Sequence, residues 1–285
     1  MGSNAHTGFN RYETLLNANS ARNLKLHWVY KAGGWISSQV IVANSMLYWG
    51  SADGYEHAMD LNGHLLWQTF LGSVPHAPPA CFPTSAGVTA PATVSNISIH
   101  GKMTPVVFVG GGDTQLYALN ANNGNIIWRT RLGTPPNMMI WAGASVYKDS
   151  VYVGRASYGD CPLEPGEMFQ LDAATGAIQN SFVTVPAGCV GGGIWMTPTI
   201  DEASGTVYVS TGTINACSTY ERYSYALLEF KAKPLSLIRA WQIPKKQQGN
   251  DDDFGSTPTL FTATIGGTVH RMIGLVNKNG IYYAL

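Results

Sequence analysis

The chain has 285 residues with 17 basic and 17 acidic side chains, so its formal net charge is zero. This balance gives no electrostatic attraction to nucleic acid or to an anionic membrane surface, and we expect neither as a partner. Charged residues make up only 12% of the sequence, against about a quarter in an average soluble domain. No apolar run approaches the roughly 20 residues of a membrane span.

Taken from the N terminus, the sequence predicts an extension over residues 1–23 and then an orphan outer strand over residues 24–31, which contains Trp28. Five repeat units follow within a single domain over residues 1–285, and we expect each to be a blade of four short antiparallel strands. Their predicted bounds are residues 35–72, 87–133, 139–185, 193–244 and 254–285.

The repeat is clearest at a hairpin that closes each of the first three units. Its copies are HAMDLNGHLLW (residues 57–67), YALNANNGNIIW (117–128) and FQLDAATGAIQN (169–180). Each turn carries a glycine, which supplies the positive φ that a tight reversal needs. The strand after the turn ends in Trp67 or Trp128, whereas the third copy has Asn180 in that place. The fourth unit is more degenerate and carries Trp241 in its outer strand.

A second alignment concerns the strand that we expect to lie innermost in each unit. The five segments are residues 36–40, 88–92, 141–145, 195–199 and 255–259. Small residues fill most of them, as expected where several sheets converge on a narrow axis. Repeats roughly 50 to 60 residues apart, each with four strands, indicate an all-β protein with the β-propeller architecture.

The two ends of the chain suggest how the propeller is completed. The last unit stops at residues 282–285, where its outer strand is still missing, and residues 24–31 read as an outer strand without inner strands. Pairing of these two segments would close a five-bladed ring and remove two open sheet edges. The alternative is a fragment of a ring with seven or eight blades, in which both segments stand as edges.

The hairpin copies resemble the repeat of the pyrroloquinoline-quinone (PQQ) type propellers, whose consensus is A-x-D-x-x-T-G-x-x-x-W. The second copy has Asn120 in place of the aspartate and Asn123 in place of the threonine. The matching positions are Ala58, Asp60, Gly63 and Trp67, then Ala118, Gly124 and Trp128, then Asp172, Thr175 and Gly176. The resemblance implies the propeller fold but no single activity, because this superfamily includes quinoprotein alcohol dehydrogenases, polyvinyl-alcohol-dehydrogenase-like proteins and an outer-membrane assembly lipoprotein.

The quinoprotein dehydrogenases that this repeat resembles hold PQQ on the propeller axis, between a tryptophan and a ring of two adjacent cysteines, with Ca²⁺ and an aspartate base nearby. The chain has no Cys-Cys dipeptide and no C-x-x-C-H haem motif. Trp141 and Trp195 align with each other at the start of two inner segments. They either offer a stacking plane for a cofactor or fill the axis as core residues.

Three adjacent carboxylates, Asp251 to Asp253, precede the fifth inner segment and are expected near the axial mouth. Asp252 and Asp253 join the two tryptophans as candidate cofactor-binding residues, while no catalytic residue is assigned. Such carboxylates suit Ca²⁺, but no D-x-D-x-D-G loop surrounds them, and solvated loop charge is the alternative. The seven histidines are scattered, so no metal site is predicted.

Three further charged residues lie in loops of the same class. Asp113, Arg155 and Asp160 follow second strands of different units, where propeller loops carry binding function. Lys278 lies in a tight hairpin turn, where we expect it to be simply exposed.

The four cysteines bear on the compartment. Cys161 and Cys189 bracket the third hairpin in loop-like contexts, and we expect a disulfide between them, with two buried thiols as the alternative. Cys81 and Cys217 form a weaker candidate pair. An oxidising compartment, and hence a secreted or periplasmic protein, is favoured, and we expect any natural leader to be absent from this sequence.

Three functional classes follow from these observations. The sequence favours a binding or scaffold module that presents its loop face to a polymer, a peptide or a protein. A PQQ-dependent oxidoreductase acting on alcohols or polymeric alcohols is the alternative, with PQQ and Ca²⁺ as its cofactors. A glycan-binding or glycan-active propeller is the third class, supported by 8 Trp, 14 Tyr and 9 Phe residues.

Overall fold

The structure is a computed structural model that describes residues 14–214, 217 and 221–285. Of the predicted N-terminal extension, residues 1–13 lie outside the described residues. Helical structure in the described ranges consists of two short 3₁₀ turns, Ala21–Asn23 and Lys245–Gln247. These described ranges contain no helix that is long and apolar enough to cross a membrane.

The strands form five antiparallel sheets in chain order. Consecutive strands are neighbours in each sheet, except that the two-residue strand Met138–Met139 pairs with Ser150–Ser157. Sheet 1 contains β1 (Ile41–Ala43), β2 (Met46–Gly50), β3 (Tyr55–Asp60) and β4 (Leu65–Phe70), and sheet 2 contains β5 (Thr93–Ile99), β6 (Lys102–Gly110), β7 (Gln115–Asn120) and β8 (Ile126–Arg131). Sheet 3 contains β9 (Met138–Met139), β10 (Ser145–Tyr147), β11 (Ser150–Ser157), β12 (Glu167–Asp172) and β13 (Ile178–Val183). Sheet 4 contains β14 (Thr199–Asp201), β15 (Thr206–Ser210), β16 (Ala226–Lys231) and β17 (Ser236–Gln242), and sheet 5 contains β18 (Thr259–Ile265), β19 (Thr268–Val276) and β20 (Tyr282–Ala284).

The hydrophobic core is divided among the interfaces between consecutive sheets. Separate clusters of buried side chains fill the interfaces of sheets 1 and 2, 2 and 3, 3 and 4, and 4 and 5. Sheets 2, 3 and 4 are therefore apolar on both faces, which is why their strands read as short, nearly continuous apolar runs such as Val106–Val109. A fifth cluster lies under the long loop between sheets 1 and 2 and includes Val74, Met139 and Tyr158.

The repeated tryptophan joins each sheet to the next one along the chain. The indole Nε1 of Trp67 donates to the carbonyl of Ala121 at 2.9 Å, and that of Trp128 donates to the carbonyl of Ala173 at 3.0 Å. Each ring also covers the turn glycine of the next hairpin, so that a Cβ at Gly124 would lie 2.6 Å from Trp67 Cε3. Glycine is thus required at position 124 for two reasons: the backbone there has a positive φ of 73°, and the indole occupies the space that a side chain would need.

A different side chain takes over where the third repeat lacks tryptophan. Asn180 donates to Gln170 Oε1 at 3.1 Å, and this same oxygen accepts from the Leu235 amide at 2.9 Å. The carbonyl of Ala232, which corresponds to Ala121 and Ala173, accepts from the hydroxyl of Tyr152 at 2.7 Å. A buried tyrosine therefore supplies the donor between sheets 3 and 4.

On the axial side, a hydroxyl at the start of an inner strand bonds to the next sheet. Thr93 Oγ1 donates to the Ala144 carbonyl at 2.7 Å and Ser145 Oγ to the Pro198 carbonyl at 2.6 Å, while Thr199 Oγ1 donates to the carbonyl of Pro258. The predicted inner strands are displaced by this arrangement. The strands begin at Ile41, Thr93, Ser145, Thr199 and Thr259, so the aligned small-residue segments lie mostly before them. Proline at 91, 198 and 258 lacks the N–H that a ladder needs.

The predicted strand over residues 24–31 is not a strand in the structure, although Trp28 occupies the predicted position. Its indole donates to the carbonyl of Leu61 at 3.0 Å, and a Cβ at Gly63 would lie 2.6 Å from its ring. The backbone of this segment has no neighbouring strand within the described ranges, so the side chain docks without ladder formation. In the same ranges β20 pairs with β19 alone, and the predicted pairing of the two chain ends is not seen.

The indole hydrogen bonds provide a direct test of this packing. We expect Trp128→Phe to lower the free energy of unfolding by about 1–3 kcal/mol, because the buried carbonyl of Ala173 loses its donor while most of the ring packing is kept. Trp67→Phe should cost less, because the Ala121 carbonyl keeps the Tyr48 hydroxyl as a donor at 3.4 Å. Urea unfolding would measure both, and an unchanged free energy of unfolding in both variants would contradict the proposed role.

Candidate axial binding site

The segments that precede the inner strands surround one cavity of about 1170 Å³ on the axial side of the sheets. All five predicted inner segments contribute lining residues, which explains their small side chains. Trp141, Trp195, Asp251 and Asp253 all line this cavity. Three of the four candidate cofactor-binding residues, Trp141, Trp195 and Asp253, therefore border a common space.

Trp195 offers an indole with unused hydrogen-bonding capacity. Its Nε1 is buried and has no hydrogen-bond partner, and the Nζ of Lys278 lies 5.5 Å from the centre of its ring. Gly255 adjoins the far edge of this ring, where a Cβ would be 3.7 Å from Cη2. A buried N–H without a partner is uncommon in proteins and marks a place where a ligand acceptor fits.

Trp141 is held more firmly. Its Nε1 donates to the carbonyl of Ser157 at 2.9 Å, and its ring meets Tyr158 edge-on with 5.8 Å between centroids. It packs against the hydrophobic cluster under the long loop and also lines the cavity. Trp141 therefore combines the two roles that the sequence left open, because it is part of the wall and of the core.

Asp253 is the most perturbed acid of the site. It is 7% exposed, and its Oδ1 is buried without a hydrogen-bond partner. The pKa of this carboxyl is raised to about 6, chiefly by burial; the ammonium of Lys278 opposes the shift, and the carboxylates of Asp160 and Asp251 contribute to it. Gly212 allows the close approach, since a Cβ there would lie 3.2 Å from Oδ2. A carboxyl of this kind exchanges a proton near neutral pH.

Lys278 is exposed, as expected, but it also pairs with the acidic residues of the site. Its Nζ lies 2.6 Å from Asp251 Oδ1 and 3.5 Å from Asp253 Oδ2, and its backbone amide donates to the Asp253 carbonyl at 2.9 Å. Burial lowers the pKa of its ammonium, but the charges of Asp251, Asp253 and Asp160 outweigh burial and raise it. Lys278 therefore keeps its positive charge at the cavity wall.

Asp252 is not among the residues that line the cavity, although it was predicted with its neighbour. Its Oδ2 accepts from the Gly249 amide at 2.6 Å and its carbonyl from Asn277 Nδ2 at 2.6 Å. These bonds stabilise the loop that carries Asp253. Successive side chains of an extended segment point to opposite sides, which separates the two aspartates.

The other predicted loop residues divide in the same way. Asp160 lines the cavity, and burial raises the pKa of its carboxyl. Arg155 is instead buried between strands, where it pairs with Glu167 at 3.0 Å. Asp113 accepts a hydrogen bond from the Tyr117 hydroxyl at 2.8 Å. The last two residues support the blades and do not line the cavity.

The predicted Cys161–Cys189 disulfide is wrong. Cys161 is bonded to Cys81 and Cys189 to Cys217, with Cα–Cα distances of 5.4 and 5.1 Å. The long loop between sheets 1 and 2 folds across the top of sheet 3 and brings Cys81 to Cys161, a contact that sequence spacing cannot reveal. Both pairs lie in loops and include all four cysteines.

The family follows from a comparison of the whole chain with known families. The family model described as outer membrane protein assembly factor BamB matches residues 89–264, which is more than half of the chain. The chain belongs to this family. The resemblance to the PQQ-type repeat is thereby confirmed.

The individual proteins that this chain resembles include several named as dehydrogenases. The polyvinylalcohol dehydrogenase of Sphingopyxis sp. (strain 113P3) is 24% identical over 308 residues, covering 92% of this chain and 44% of the relative. The crystal structure of the quinohemoprotein alcohol dehydrogenase from Comamonas testosteroni matches with a TM-score of 0.72 and 21% identity, over 95% of this chain and 44% of that one. A europium-containing methanol dehydrogenase matches with a TM-score of 0.77 and 17% identity, over 95% and 52%.

These structural matches show the fold alone, because the identities are low. They confirm the predicted all-β propeller with four-stranded antiparallel blades. The chain spans about half the length of these relatives or less.

Proposed function

We propose that the axial cavity binds a planar quinone cofactor of the PQQ type and that the protein is an oxidoreductase acting on alcohols. One observation carries this proposal: a buried carboxyl with a pKa of about 6 and an unpartnered oxygen shares a cavity with an indole whose N–H is also unpartnered. The sequence favoured a scaffold because individual cofactor motifs were missing. The convergence of these groups supports the oxidoreductase better.

The residues present fit PQQ, which is a flat aromatic molecule with several carboxylates. Trp195 would provide a stacking face, and its N–H would donate to a cofactor oxygen. Lys278 would pair with a cofactor carboxylate, since it is already held at the wall by Asp251 at 2.6 Å. When bound, a quinone supplies the acceptor for the two electrons that an alcohol loses on oxidation.

Asp253 would act on the substrate hydroxyl. A carboxylate with a pKa of about 6 is ionised at neutral pH and is a stronger base than an ordinary aspartate, so it can accept the hydroxyl proton. Lys278, 3.5 Å away, stabilises the ionised form before the proton arrives.

Ca²⁺ fits the site less well. Within the described residues no three His, Cys, Asp or Glu side chains gather into a metal-binding group. The positive charge beside Asp251 and Asp253 is the Lys278 ammonium.

The second candidate is the binding module, and family membership favours it. The matching family is described as an assembly factor, which suggests a protein partner at the loop face. In either case two disulfides suit an oxidising compartment, and we propose a secreted or periplasmic location.

Titration with PQQ, followed by tryptophan fluorescence, tests the cofactor proposal. We expect saturable binding that Trp195→Ala and Lys278→Met each weaken at least about tenfold, the cost of one buried charge-assisted bond or stacking contact. Asp252→Asn is the matched control, and it should leave the affinity unchanged because this side chain does not line the cavity. Equal affinity in all four proteins would exclude the cavity as the cofactor site.

A further inference from the structure

Phe82 is exposed to an unusual degree for an aromatic residue at a cavity. Its side chain is 86% exposed, yet it lines the axial cavity together with its neighbour Pro83. Apolar and aromatic side chains predominate in the lining of ligand pockets. Exposure alone does not make a site, so the support of this residue matters.

The loop that carries Phe82 is fixed on both sides. The neighbouring Cys81 is bonded to Cys161, and the carbonyl of Pro83 accepts from the Tyr158 hydroxyl at 2.8 Å. The base of the loop is closed by reciprocal hydrogen bonds between Val74 and Ala86, at 2.7 and 3.1 Å. Phe82 is thus presented on a rigid support, which lowers the entropy cost of a contact with a ligand.

The disulfide also links Phe82 to the acidic part of the cavity. Cys161 follows Asp160 in the sequence, and the Asp160 carboxylate interacts electrostatically with Asp253, Asp251 and Lys278. The covalent bond therefore ties the apolar side chain to the wall that carries the charged groups.

The cavity is larger than a cofactor alone requires. Its volume of about 1170 Å³ exceeds the range of about 300–1,000 Å³ for ordinary small-molecule pockets. Its charged residues are Asp160, Asp251, Asp253 and Lys278, whereas Phe82, Pro83, Leu163 and Trp35 give it an apolar part. A ligand that matches both parts has a polar end and a hydrocarbon portion.

We propose that Phe82 forms an apolar subsite for the hydrocarbon chain of an amphiphilic alcohol whose hydroxyl group lies at Asp253. This assignment rests on the proposed function and names its substrate class. The subsite selects for chain length, because each methylene buried against Phe82 and its apolar neighbours leaves water.

Binding of linear primary alcohols from 1-butanol to 1-octanol, measured by calorimetry on the purified protein, tests this subsite without any turnover. We expect the Kd to fall by about fourfold for each added CH₂, the effect of burying one methylene. Phe82→Ser should reduce this gradient to less than about twofold per CH₂ and change the Kd of 1-butanol little. Phe70→Ser is the control, since Phe70 is 53% exposed in β4 and outside the cavity lining.

The outcomes separate the subsite from the cofactor proposal. A flat gradient in the parent protein, or the same gradient in Phe82→Ser, would overturn the subsite. A steep gradient that only Phe82→Ser removes would support it, even if PQQ does not bind and the oxidoreductase proposal fails. If PQQ binds but the chain-length gradient of the parent protein is flat, the cofactor proposal stands and the subsite is excluded.

Discussion

Replacing Asp253 by asparagine is expected to reduce alcohol oxidation by about a thousandfold, the loss typical of removing a general base. The amide keeps the shape of the carboxyl but cannot accept the hydroxyl proton. In the parent protein, kcat/KM should rise with pH through about 6, where Asp253 loses its proton. In Asp253→Asn this rise of kcat/KM with pH should be missing. Initial rates between pH 5 and 8 in the presence of PQQ would measure both effects.

The same substitution should make the protein more stable at high pH. Because burial raises the pKa of Asp253 to about 6, the folded state holds this proton more tightly than the unfolded state. The stability that this group contributes is complete below its ordinary pKa and is lost as pH rises through about 6. Asparagine has no such loss, so Asp253→Asn should gain about 1.4 kcal/mol over the parent at pH 8 relative to pH 5, because only the part of the pKa shift between pH 5 and about 6 acts in this range.

Urea unfolding of both proteins at the two pH values would measure this difference. The fully buried Glu56, whose pKa is also raised by burial, is common to both proteins and cancels in the comparison. Asp252→Asn again serves as the control and should show neither effect. A large loss of stability in Asp253→Asn at pH 8 would instead identify the carboxylate as structural.

Removal of the Cys81–Cys161 disulfide is expected to have the largest effect on stability. The bond joins residues 80 positions apart, and chain-entropy reasoning assigns it about 4.5 kcal/mol, because the open chain gains that much conformational freedom on unfolding. The Cys189–Cys217 bond spans 28 positions and should contribute about 3.5 kcal/mol. The double variants Cys81→Ser/Cys161→Ser and Cys189→Ser/Cys217→Ser, compared by urea unfolding, test this order.

Peptide mapping without reduction would first establish the pairing. Recovery of a Cys161–Cys189 peptide would contradict the structure, whereas free thiols would remove the argument for an oxidising compartment. If both double variants unfold like the parent, neither bond constrains the unfolded chain in the way that the entropy argument assumes.

The sequence was sufficient to predict the fold because the repeat encodes its own packing. Trp67 and Trp128 are conspicuous in the sequence, and their hydrogen bonds to Ala121 and Ala173 are the same contact made twice. The position of Trp28 follows by the same logic. Its strand could not be predicted correctly, since strand formation depends on a neighbouring backbone rather than on the segment itself.

The candidate site was only partly predictable. Trp141, Trp195 and Asp253 were found because blade alignment orders residues around an axis. Lys278 was missed because a lysine in a hairpin turn is usually solvated, and only the three-dimensional loop packing reveals that its amide bonds to Asp253. The disulfide pairing was predicted wrongly for a similar reason, because the long loop that carries Cys81 crosses from one unit to another.

The way in which the tryptophans dock has a consequence for how such sequences diverge. Each indole of one sheet bonds to a main-chain carbonyl of the next sheet, and carbonyls are present whatever side chain the residue carries. Neighbouring blades therefore need not change in concert, since the acceptor survives almost any substitution. Only the turn glycine beneath the ring is constrained by space. Relatives can then share as little as 17% of their residues and still superpose over 95% of this chain.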